Sequence, residues 1–237
     1  MGAGEEDRAD LDQLDRLDLD QLDFGDFEDD EEFLAAWAAA ESAAAAVIRE
    51  ALGDLRGENA PEGAISTAAQ HLRQAVATGD ANAAWMLRAA AMDSQRATAT
   101  VDGPDDAGML VEAVAGTISM VDESGLEVSE EAAVLSLELA DWAGAVIGLC
   151  RRGVGASAEP DHLVDYIDEC PEIEGPPLGT DAVQVEMAFE IVLPAWEVAG
   201  IVDRDRRLTV AGRWVLPRAV GLAWESDFDL PPDQDDV

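Results

Sequence analysis

Lysine is missing from this chain of 237 residues; all fourteen basic residues are arginine, set against 52 acids. Without lysine, Schiff-base chemistry is excluded. The resulting net charge of −38 repels phosphate backbones and anionic lipid, so uniform nucleic-acid or membrane-surface binding is disfavoured. Cysteine is nearly absent. Cys150 and Cys170 are too few for a disulfide framework, and their apolar or helical setting reads as reduced thiols. Long apolar runs are absent too: Glu41, Glu112, Glu138 or Asp141 interrupts each one too soon for a membrane span. The opening "MGAGEEDRAD" has neither a basic n-region nor an apolar h-region, so no secretory signal is expected and a cytoplasmic location is.

Catalytic signatures are equally scarce. There is no serine nucleophile elbow, HExxH or P-loop. The Gly-x-Gly of "GVGASAEP" lacks a third glycine, a preceding strand and a lysine, and reads as a linker. His71 and His162 are the only histidines. Asp165 and Tyr166 follow His162 at helical spacing, but no second histidine or paired cysteine completes a metal-ligand set. Asp18, Asp20 and Asp23, with Gly25, do not keep calcium-loop spacing. No catalytic, cofactor-binding or metal-binding residue is assigned, and a non-enzymatic binding protein is expected.

What remains is acid, alanine and helical periodicity. Residues 1–29 form an acidic arm in which Leu11, Leu14, Leu17, Leu19, Leu22, Phe24 and Phe27 recur among aspartates. Like charges and poor helix formers leave such a segment disordered alone. Spaced leucine and phenylalanine in an acidic arm fit a segment that folds on a basic, grooved partner. The competing reading is a solvating tail.

Residues 30–152 read as an alanine-rich bundle of five helices. The first carries Phe33, Trp37, Ala40, Ala44, Val47, Ile48 and Leu52 at spacings of three to four, one apolar face. A second spans about 61–77, with Pro61 in its first turn and Gly79 as its stop. Asp80 caps a third. "AVATGDANAAWMLRAA" locally resembles one helix-turn-helix unit of the tetratricopeptide type, without the repeat. A fourth helix covers about 105–122, and a fifth runs from Ser129 to Arg151, Arg152 and Gly153. Residues 153–160 are the expected linker between two domains, and 229–237 an acidic tail.

The basic residues are unevenly placed. Arg204, Arg206, Arg207, Arg213 and Arg218 fall within fifteen positions of "GIVDRDRRLTVAGRWVLPRAV". A helix from Thr180 or Asp181 to Ala199, with a late kink at Pro194, ends at Gly200. "IVD" and "LTV" are β-prone runs around a polar turn, and a last helix follows Gly212. Through "AGIVD…LTVAG", residues of about 160–225 resemble the winged-helix family, and 161–228 are the expected winged-helix-like domain. The resemblance implies a mainly α fold with one small β-hairpin, and a DNA-reading helix in many members. Here the corresponding helix carries Asp181, Glu186, Glu190 and Glu197 and no arginine, so the implied role shifts to protein contacts.

The expected function is an acidic regulatory or adaptor protein that binds a protein partner, with Leu14, Leu17, Leu22, Phe24, Phe27, Arg204, Arg206, Arg207 and Arg213 as partner-binding residues. The arginines have three readings: neutralising nearby acids or docking the arm, a wet contact with an acidic partner, or ordinary charges on an exposed hairpin. Two other functions compete with the first. One is an acidic neutraliser (antitoxin, immunity protein or DNA mimic) of a basic partner; the other is a DNA-binding regulator using the wing arginines. Homo-oligomerisation is left open.

Overall fold

The computed structural model describes residues 31–57, 59–92, 105–123, 137–173, 177–179 and 181–228. Helices α1 (Glu31–Leu55), α2 (Glu62–Thr78), α3 (Ala81–Met92), α4 (Asp106–Glu123), α5 (Leu139–Arg152), α6 (Pro160–Asp168), α7 (Ala182–Val198) and α8 (Val210–Phe228) make it a mainly helical chain. Residues 1–43 and 44–237 are separate compact units. In the first, residues 31–43 are helical. The acidic arm and the tail after Phe228 lie outside the described residues.

Local chemistry sets several helix ends where expected. Gly79 stops α2 with a left-handed φ of 76°, which glycine adopts without steric cost. Asp80 Oδ1 accepts the Asn82 and Ala83 backbone N–H groups at 2.9 and 3.1 Å, satisfying donors that the first turn of α3 leaves open. Arg151 and Arg152 close α5 ahead of Gly153. The start of α5 differs from expectation: Leu137 and Glu138 are not helical, and Glu138 is the extended residue before it. Its backbone N–H bonds the Asp141 carboxylate, half of a capping box that fixes the first turn.

The core is built on two helices buried nearly all round. Met109, Leu110, Ala113, Val114 and Ile118 of α4 are buried, as are Trp142 to Cys150 of α5. Helices α3 and α8 pack on α4, and α6 and α8 pack on α5. Trp142 meets Phe189 edge-on at 4.9 Å and Trp196 at 5.8 Å, so α5 and α7 share an aromatic centre. Both thiols are free and buried; desolvation pushes Cys150 up to about 12 and raises Cys170 as well.

Residues 153–160, expected as a linker, are tied into the C-terminal fold. The Gly155 N–H donates to Leu208 O at 2.8 Å and the Ala158 N–H to Arg206 O at 2.7 Å. Antiparallel bridges join Ser157 to Arg207 and Val202 to Leu208, so residues 207–208 lie between two short partners. The expected hairpin is thus reduced to isolated bridges among the described residues, and Thr209 explains where pairing stops. Its hydroxyl accepts the Gly212 N–H at 2.9 Å while its own hydrogen is directed at Gly200 and Ile201 carbonyls, 2.6 and 3.0 Å away. Thr209 therefore acts as the N-cap of α8, which begins at Val210 rather than after Gly212. Gly212 is needed there because a Cβ would strike the Ile201 carbonyl.

Candidate protein-contact surface

The turn between α7 and α8 is shaped by its aspartate. Asp203 Oδ1 accepts the Asp205 and Arg207 backbone N–H groups, both at 2.9 Å, a side chain standing in for backbone in a tight turn. Arg206 sits in the left-handed region with φ 51°, unusual for a residue with a side chain. That conformation accompanies a two-pronged pair with Glu190 of α7: Nη1 to Oε1 and Nη2 to Oε2, both 2.8 Å. Nη1 also reaches Glu159 Oε2 at 3.0 Å. One guanidinium thus joins α7 to the residue preceding α6. Its hydrogen bond holds the Glu190 carboxyl below its ordinary range, and Glu190 in turn raises Arg206.

The other clustered arginines also face their own fold, with one exception. Arg207 Nη1 donates to Gly155 O at 3.0 Å, and Arg213 Nη1 donates to Cys150 O. Arg218 donates to Trp214 O and Gly57 O at 2.9 and 3.0 Å, its guanidinium 3.8 Å above the Trp214 ring. Arg204 is exposed and makes no hydrogen bond or ion pair among the described residues. It borders an open groove of about 710 Å³ between α2, the end of α7 and the start of α8, whose walls include His71, Gln74 and Val202. Leu14, Leu17, Leu22, Phe24 and Phe27 lie outside the described residues.

A second concavity, about 450 Å³, was not marked as a site by the sequence. Its walls are Glu159, Pro160, Asp161 and His162 at the start of α6, and Val183, Glu186, Met187 and Glu190 of α7. The α7 residues stand at i, i+3, i+4 and i+7, one face of a helix. Val183 and Met187 are 59% and 46% exposed, large apolar side chains on a face otherwise acidic. The only sequence signal was apolar residues interleaved with Glu186 and Glu190. His162 is exposed beside Ser157 Oγ at 3.1 Å and Asp161 Oδ1 at 3.3 Å. Among the described residues no group of three or more His, Cys, Asp or Glu is placed to hold a metal ion. None of the described helices is long and apolar enough to cross a membrane. No protein-family model matches this chain, and no curated protein or solved structure matches it either.

Proposed function

We propose that this chain is a non-enzymatic regulatory or adaptor protein acting through protein–protein contacts, with residues 161–228 as a winged-helix-like module. The order α6, α7, bridged turn, α8 supports that likeness, as does Ser157 pairing beside the turn. The observation that carries the functional reading is Arg206 tied to Glu190 and Glu159. Its guanidinium is taken up by Glu190, on the helix that would have to enter a DNA groove, and by Glu159 ahead of α6, rather than left free for a phosphate. Binding there would set phosphates against Asp181, Glu186 and Glu190 without counterion release in return.

A second reading, an acidic neutraliser of a basic partner, is favoured by the carboxylates around the smaller concavity. The test is retention of the full chain on duplex DNA beside protein pull-down from native lysate, each at low and high salt. Protein partners with no DNA retention are expected. Retention on DNA that fades with salt, without protein partners, would overturn the proposal. Capture of a basic nuclease or toxin with loss of its activity would select the neutraliser.

A further inference from the structure

Resting on that protein-contact reading, we infer that the furrow between the start of α6 and the Val183–Glu190 face docks a basic amphipathic helix of a partner protein. Val183 and Met187 form its apolar floor. Methionine is flexible and polarisable, suited to receiving side chains of irregular shape. Around that floor stand Glu159, Asp161, Glu186 and Glu190. Arg206 engages Glu159 and Glu190, which anchors one end of the furrow and leaves Asp161 and Glu186 as its outward charges.

This pattern selects the occupant. Apolar residues one helical turn apart would cover Val183 and Met187. Lysine or arginine on either side would meet Asp161 and Glu186, whose burial against a neutral or acidic surface would cost free energy without return. A second copy of this chain is a poor fit, because a two-fold contact would set the carboxylates of Asp161 and Glu186 against the same acidic patch of the other copy.

The test uses the full chain with ¹³C-methyl methionine and a fluorescent peptide of about four helical turns, leucine on one face and lysine and arginine elsewhere. Two companion peptides replace either the basic residues with glutamate or the leucines with glutamine. The basic amphipathic peptide should move the Met187 methyl signal and leave those of Met86 and Met109, buried in the core, unmoved. V183S/M187Q should weaken binding about tenfold, as loss of central apolar anchors does. D161N/E186Q should weaken it about threefold to tenfold and flatten its salt dependence. All four residues are at least partly exposed, and circular dichroism verifies that the variants fold.

An unmoved Met187 signal, binding untouched by these substitutions, or equal binding of the leucine-free peptide would each overturn the inference. If the glutamate peptide alone moves Met187, the basic occupant is wrong while the protein-contact reading stands. If duplex DNA moves it, both fail.

Discussion

Trp196 donates its indole Nε1–H to Thr117 Oγ1 at 3.2 Å, a buried bond between residues 79 apart in sequence. The hydroxyl's own hydrogen is directed at Val114 O, 2.7 Å away. Helices α4 and α7 are joined at this point. T117V keeps the shape and removes the acceptor, leaving the indole N–H unsatisfied in the core. It should lower unfolding free energy by about 1–3 kcal/mol, read as a lower urea midpoint at unchanged slope. T117S retains the acceptor and should be the milder change; an unaltered midpoint in T117V would show that the bond contributes nothing.

Gly116 marks a close approach of α3 and α4. A Cβ there would lie 2.6 Å from Ala90 Cα and 2.8 Å from the Ala89 carbonyl carbon, both backbone atoms that cannot turn aside. G116A should cost about 1–3 kcal/mol as the helices are forced apart. Gly63 in α2 has no atom within 4 Å of such a Cβ, so G63A should be neutral or stabilising by a few tenths of a kcal/mol. Equal effects in the two variants, measured by chemical denaturation, would refute this packing account.

Asp141 gives the fold a pH dependence of defined sign. Desolvation, reinforced by Glu138, Asp168 and Asp181, pushes its carboxyl from 3.8 up to about 6. The folded state therefore holds the proton more tightly than the unfolded chain. This contribution is fully present below about pH 4 and is lost as pH rises through 6, a change on the order of 2 kcal/mol after discounting for partial exposure. D141N escapes that loss. At pH 7 it should melt about 4–8 °C higher than the parent, and the gap should shrink toward zero near pH 4. A gap independent of pH would remove the carboxylate from the explanation.

Arg206 separates side-chain from backbone effects. R206A removes the pairs to Glu190 and Glu159 and keeps the left-handed φ, costing about 1 kcal/mol, as a well-formed surface pair does. R206G loses the same pairs and relieves the backbone, so it should recover about 1 kcal/mol relative to R206A. Because Arg206 holds Glu190 low, the pair stabilises above the ordinary glutamate range and fades as pH falls below it. The penalty of R206A should therefore be smaller at pH 3 than at pH 7, as thermal melts at the two pH values will show.

Much of the helical organisation was legible because caps are local. Gly79, Asp80 and the Arg151–Gly153 stop each act within a few residues of their own position. The start of α5 was misread because "SLELADWAG" keeps an apolar period on both sides of Glu138, and the Asp141 cap carries no strong signature. The furrow was hidden for another reason. Helix α7 is apolar around much of its circumference, so only its packing decides that Val185, Ala188, Phe189, Val192 and Trp196 go inward and that Val183 and Met187 stay out. Nor could the Arg206 node be read ahead, because Glu159 lies 47 residues away.

The sealed thiols give the protein an internal clock. Cys150 has 0% exposure and Cys170 5%, and burial keeps both protonated near neutrality, while only a thiolate attacks a disulfide reagent at an appreciable rate. Modification therefore waits for the surrounding helices to part. Cys150 lies in α5 and Cys170 just beyond α6, so the two labelling rates time separate openings of the native fold with no added probe.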